Sequence, residues 1–168
     1  MASPRLLKGR QSLPGHWFVV TTVTDARQTL FADQAIANVA IDELNSLSTQ
    51  TVVSHAWVLM PDHLHWMFEL RESFGLSRVM QVFKSRSAVR INRVRRRAEP
   101  VWQAGFHDHR LRNTEDFLAQ ARYIVANPLR RGLVDRIEDY PHWWCRWIRG
   151  GTAYEGRASS ALPTRDTP

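Results

Sequence analysis

The first 70 residues alternate between strand-like and helix-like patterning. Residues 16–24 (HWFVVTTVT) are β-branched and aromatic, which predicts a strand. Asp33 can cap a helix over 34–47, where Ile36, Val39, Ala40, Glu43, Leu44 and Leu47 fall near helical spacing. Residues 51–60 (TVVSHAWVLM) predict a second strand, Pro61-Asp62 a turn, and 63–70 (HLHWMFEL) a third strand, so these two form a hairpin. Period-two alternation in the third strand sends Leu64, Trp66, Phe68 and Leu70 to one face, a core face. His63, His65, Met67 and Glu69 take the other.

Residues 77–97 predict a long helix whose inward stripe is Met80, Phe83, Ser87, Ile91 and Val94. Residues 106–112 predict a short fourth strand. A further helix is expected over 115–127, capped by Asn113 or Thr114, with Glu115 and Asp116 in its first turn. Pro128 ends it at Asn127 or just before, and Gly132 breaks the chain. Residues 140–148 form a compact aromatic segment, and from Gly150 onward Gly, Ser, Thr and Pro predict a flexible tail. The order of elements predicts an α+β fold: a ferredoxin-like split βαβ sandwich, an antiparallel sheet with helices on one face, plus a C-terminal helix. One domain is expected over 1–149, and a tail over 150–168.

Composition narrows the partner. At 168 residues, with 43% hydrophobic and 23% charged positions, the chain is expected to be one globular domain. No apolar run reaches 18 residues, so no membrane partner is expected, and the start of the chain lacks the apolar core of a secretory signal. Cys145 is the single cysteine, which excludes an internal disulfide framework and a Cys-rich zinc site and favours a cytoplasmic location. The net charge is +7, carried by 21 arginines and two lysines. Arginine's planar fork suits phosphate, so a nucleic-acid partner is expected; codon bias is the competing explanation. Position discriminates between them. Residues 78–97 hold eight basic side chains and no acidic one, and Arg86, Arg90, Arg93 and Arg97 step down one helix face beside Lys84. Like charges at this spacing repel, so the stripe is expected to bind a DNA backbone. Trp143, Trp144 and Trp147, among Arg146 and Arg149, could stack bases, but a hydrophobic clamp is the favoured reading.

Three segments could carry chemistry. His63 and His65, about 7 Å apart along one strand face, can converge on a divalent ion; taken alone, they are equally two half-exposed histidines. Gln120, Tyr123 and Asn127 share one helix face, while Phe117, Ala121, Ile124 and Val125 pack inward. Tyr123 could act as a nucleophile if activated, or be an amphipathic residue at a helix–sheet boundary. His107 and His109 alternate around Asp108 and could support a metal site or contact DNA; His16, His55 and His142 have no evident role.

With these residues assembled, the chain resembles the REP-associated tyrosine transposases, within the HUH single-tyrosine transposases. The strings that carry the resemblance are MPDHLHWMF at 60–68, WQAGFHDHRLR at 102–112 and ARYIVANPLRRGLV at 121–134. The resemblance covers roughly 16–147, most of the chain. The aromatic run YPHWWCRW at 140–147 departs from the family's smaller, serine-containing stretch, so C-terminal DNA contacts are not carried over. The resemblance implies that His63 and His65 bind a divalent metal, Mg²⁺ or Mn²⁺, which Asn127 can complete. Tyr123 matches the catalytic tyrosine. The implied function is cleavage and joining of single-stranded DNA at palindromic REP hairpins through a 5′-phosphotyrosine, by a monomer or homodimer in the bacterial cytoplasm, associated with the nucleoid. Two other readings stay open: a catalytically silent hairpin-binding protein on the same fold, and a metal-dependent hydrolase using His63, His65, His107 and His109.

Overall fold

The computed structural model describes residues 12–71, 75–112 and 116–151. The strands are β1 (Trp17–Val23), β2 (Val52–Met60), β3 (His63–Leu70), β4 (His107–Leu111) and β5 (Trp143–Cys145). The helices are α1 (Gln34–Gln50), α2 (Leu76–Arg95), α3 (Phe117–Val125) and the single turn α4 (Asn127–Arg130). The sheet runs β4-β1-β3-β2-β5 with every neighbouring pair antiparallel. Its first four strands have the split βαβ order expected, and β5 extends it past β2.

Alternation divides the sheet into two faces. Phe18, Val20, Trp57, Leu59, Leu64, Trp66, Phe68 and Leu70 face α1 and α2. Trp17, Ala56, Val58, Met60, Met67 and Leu111 face α3 and the C-terminal segment. Asp33 caps α1 as expected, accepting from the N–H groups of Ala35 and Ile36. α2 buries Met80, Phe83, Ser87 and Ile91, but Val94 is 51% exposed, because the helix outruns the core beyond Ile91.

The start of α3 is a correction. Its cap is Asp116, which accepts from the N–H groups of Leu118 and Ala119; Asn113, Thr114 and Glu115 lie outside the described residues. Pro128 interrupts rather than ends the helical path: α3 stops at Val125, and α4 restarts with Pro128 in its first turn, where its missing N–H costs nothing. The tail from 152 and the basic positions Arg5, Lys8 and Arg10 also lie outside the described residues.

The C-terminal aromatic segment is a clamp. Trp143 is fully buried, and β5 pairs Ala56, Trp57 and Val58 of β2. A bulge in β2 between Ser54 and Ala56 turns the extra residue, His55, onto the α3 side. There its ring stacks on Trp17 at 3.7 Å and Trp147 at 5.6 Å between centroids. Arg146 locks the segment twice, donating N–H to His55 O at 3.0 Å and Nη1–H to His55 Nδ1 at 2.7 Å.

The arginine stripe is compensated from outside its own helix. Glu43 of α1 is almost fully buried and pairs with Arg86 Nε at 3.0 Å and Arg90 Nη1 at 2.7 Å, while Asp42 takes Arg90 Nη2 at 3.0 Å. Arg95 and Arg97 pair with Glu99, and Lys84 donates to the carbonyls of Gln103 and Gly105. The acid-free run therefore does not mean uncompensated charge. Removing Arg86 and Arg90 together should strand the Glu43 carboxylate and lower unfolding free energy by about 2–3 kcal/mol. Urea melts of Arg86→Ala, Arg90→Ala and the double variant should show a loss in the double exceeding the sum of the singles. A neutral double variant would contradict this account of α1–α2 docking.

Candidate active site

β3 delivers both histidines to the α3 side of the sheet, the face of Met67. His65 pairs with Thr21 of β1 and Val58 of β2, and His63 with Val23 and Met60. Their rings meet edge-on, 4.8 Å between centroids and 89° between planes. That is shorter than the strand repeat of about 7 Å, so the rings lean together.

Each imidazole is held through Nδ1. Asp62 Oδ1 lies 2.5 Å from His63 Nδ1, and Thr21 Oγ1 lies 2.7 Å from His65 Nδ1. A carboxylate can only accept, so His63 Nδ1–H donates to it and Nε2 is the ring nitrogen left for other partners. The Thr21 hydroxyl can accept from His65 in the same way. Outer partners on Nδ1 are how metal-ligating histidines are oriented. Burial, then the electrostatic influence of His63, Arg131 and Arg130, pushes the His65 pKa down to about 4, so its ring is neutral at pH 7. For Asp62, burial alone favours the acid, but the hydrogen bonds and charges of His63 and Arg27 outweigh it and hold the pKa low.

Two imidazoles offer a divalent ion a partial shell. Among the described residues, no group of three or more His, Cys, Asp or Glu could hold a metal ion. Phosphate and water oxygens must supply the rest, which suits Mg²⁺ or Mn²⁺. His107 and His109 sit on the same sheet face but do not join the pair. His107 lies opposite Thr21 on β4, so its backbone is two strand spacings, about 10 Å, from β3. The hydrolase reading, which needed all four histidines together, loses its geometric basis.

α3 packs onto this face through Ala121, Ile124 and Val125, with the Phe117 ring 4.2 Å from Trp17. Tyr123 points outward, 55% exposed, and the Arg130 guanidinium lies over its ring at 4.1 Å. Arg130 is also one of the charges acting on His65, so the tyrosine and the histidine pair share a neighbour. Gln120 is half-buried one turn before Tyr123. Asn127 is buried, and its Nδ2–H group donates to the carbonyls of Tyr123 at 3.2 Å and Ile124 at 2.9 Å. It thus closes the end of α3 that carries the tyrosine. The chain has three tyrosines. Tyr140 is buried, donates to Leu59 O at 2.8 Å, and is pushed up to about 12 by burial and the Asp62 charge; Tyr154 lies outside the described residues. Tyr123 is therefore the exposed phenol of the described chain.

Lys84, Arg86, Arg90 and Arg93 are on α2, across the sheet from the histidines; Arg97 is not on the expected helix face, because α2 ends at Arg95 and Arg96 turns the chain through a left-handed cap. These side chains cannot reach the face that carries His63 and His65, and among them only Arg93 has no ion-pair or side-chain hydrogen-bond partner among the described residues. The arginines beside Tyr123 are instead Arg130 and the neighbouring Arg122 and Arg131, all exposed. Pattern alone gave no sign of Thr21 or Arg130, whose roles come from strand register and the α3–α4 break.

Residues 14–127 match the sequence model of the family described as "Transposase IS200 like". The chain belongs to this family of transposases. The matched span includes both histidines, Tyr123 and Asn127. A REP-associated tyrosine transposase of Escherichia coli K12 is 26% identical over 138 residues, covering 76% of this chain and 74% of that protein. A Haemophilus influenzae relative, provisionally given the same name, is 24% identical over 143 residues, covering 76% and 78%. Among solved structures, a REP-associated tyrosine transposase bound to a REP hairpin aligns with a TM-score of 0.63 at 24% identity, over 85% of this chain and 82% of that one. The resemblance carried by the three strings is thus borne out, and so is the ferredoxin-like architecture. Among the described residues, no helix of the transposase is long and apolar enough to cross a membrane.

The histidine environment sets a pH dependence. His65 and His55 are both lowered from 6.5 by burial, so the folded state binds fewer protons than the unfolded chain below that pH. Their contribution to stability is complete above pH 6.5 and is lost as pH falls below it, for His65 toward 4. NMR titration of the metal-free transposase should show His65 with a midpoint near 4, accompanied by a falling urea midpoint over this window. A His65 midpoint at 6.5 would contradict the buried, Thr21-bonded placement.

Proposed function

We propose that this transposase cleaves and rejoins single-stranded DNA at REP-type palindromic hairpins through a 5′-phosphotyrosine on Tyr123. The observation that carries the proposal is that two histidines with occupied Nδ1 atoms share a sheet face with the exposed phenol. The family match and the hairpin-bound relative of like fold support it.

His63 and His65 would hold the divalent ion through Nε2, with the carboxamide oxygen of Asn127 as a third candidate ligand. When bound, the ion would polarise the scissile phosphate. Tyr123 would attack phosphorus in line: the phenolic O–P bond forms, the P–O3′ bond breaks, and the phenolic proton passes through solvent to the departing 3′-oxygen. One phosphodiester replaces another, so rejoining by a 3′-hydroxyl needs no nucleotide energy source. Arg130, stacked on the tyrosine, and Arg131 would grip the phosphate oxygens on either side of the cut. Arg93 and Arg97, across the sheet, would contact a separate part of the hairpin backbone. Gln120, His107 and His109 would line the approach along the α3 side.

Labelled hairpin DNA incubated with Mn²⁺ and the transposase should give a covalent protein–DNA adduct on a denaturing gel. Tyr123→Phe should abolish it, and His63→Ala or His65→Ala should reduce cleavage at least about 100-fold while hairpin binding persists. Cleavage without an adduct in Tyr123→Phe would point to a hydrolase. Binding with no cleavage under any metal would point to a silent hairpin binder.

A further inference from the structure

The hairpin turn that presents His63 is tied down by a segment with no part in the reaction proposed above. Thr24 N–H and Oγ1–H both donate to Asp62 O, at 2.9 and 3.0 Å, and Phe31 N–H donates to Pro61 O at 3.0 Å. Between these anchors, Ala26 (φ 49) and Arg27 (φ 52) are both left-handed without being glycine. Residues with a Cβ rarely take this conformation, and two in succession need surrounding structure to hold them. The result of the bend is specific. Arg27 comes back over the turn, and its Nη1 lies 3.2 Å from Asp62 Oδ2. Both carboxylate oxygens are then assigned, Oδ2 to Arg27 and Oδ1 to His63.

The Arg27 side chain is 64% exposed, and an ion pair this open adds little to stability. Its geometry has a sharper consequence. With Oδ2 engaged, the carboxylate is biased toward the orientation in which Oδ1 accepts from Nδ1–H.

We propose that Asp62 and Arg27 are positioning residues for His63: Asp62 selects the Nδ1–H tautomer and aims Nε2, and Arg27 fixes Asp62 in that role. The proposal rests on reading His63 as a metal ligand, and it extends that reading to two residues outside the ligand set. The nearest analogue within the chain is Thr21 on His65, but Thr21 sits in the sheet ladder, whereas Asp62 depends on a bent loop for its orientation.

Two readouts test it on the full chain. The tautomer of His63 can be read by ¹⁵N NMR on the metal-free protein, and Mn²⁺ affinity by titration calorimetry. Wild type should show a single Nδ1–H tautomer. Asp62→Ala should mix the tautomers and weaken Mn²⁺ binding by about 10–100-fold. Asp62→Asn, whose carbonyl oxygen still accepts from Nδ1–H, should restore most of both. Arg27→Ala should weaken Mn²⁺ binding several-fold with an unchanged thermal midpoint, and Arg27→Lys should recover part of the loss. An Asp62→Ala protein with wild-type tautomer and affinity overturns the proposal. If Asp62→Ala does not fold, Arg27→Ala decides through the same readouts, and wild-type values there overturn the Arg27 role. A wild-type chain that binds no Mn²⁺ removes the metal reading, while the NMR result still decides whether Asp62 orients His63.

Discussion

β3 is the central strand of the sheet and is covered on both faces. A strand in that position must satisfy two different environments with alternating side chains. Leu64, Trp66 and Phe68 fill the side covered by α1 and α2. On the other side only Met67 is needed for packing against α3, so the positions before it are released from the core. His63 and His65 occupy them, at the end of the strand where α3 and α4 bring Tyr123 and Arg130. Shifting the register by one residue would bury the imidazoles among Trp57 and Phe83 and expose three large apolar side chains. The hydrophobic cost of that slip is what fixes the chemistry in place.

From this constraint the site follows by satisfaction of polar groups. Imidazoles close to a packed face need partners, and the chain supplies one for each Nδ1, a carboxylate for His63 and a hydroxyl for His65. The α3–α4 break has a similar logic. Pro128 cannot continue the hydrogen-bond ladder of α3, so Asn127 turns its carboxamide back onto the last carbonyls, and α4 swings Arg130 over the tyrosine ring.

Much of this was legible from pattern. Strands β1 to β4, the two long helices, the hairpin and the side of β3 bearing the histidines are all set by local periodicity, which is the information a single strand or helix carries. The failures are non-local. The arginine stripe read as uncompensated because its carboxylates, Asp42 and Glu43, lie more than forty positions away on another helix. β5 is only three residues long, too short to show alternation, and exists because β2 offers it an edge. The cap of α3 moved to Asp116 because two more residues upstream could also cap, and spacing does not rank them. Thr21 is visible as a partner of His65 only once β1 is registered against β3.

The account places one phenol at the reaction centre and gives the buried Tyr140 a structural hydrogen bond instead. Protease digestion and mass spectrometry of the covalent adduct locate the nucleotide directly. The account predicts the added nucleotide mass on the peptide 123–130 (YIVANPLR), linked through Tyr123. The same mass on a peptide containing Tyr140 or Tyr154, with 123–130 unmodified, would contradict it.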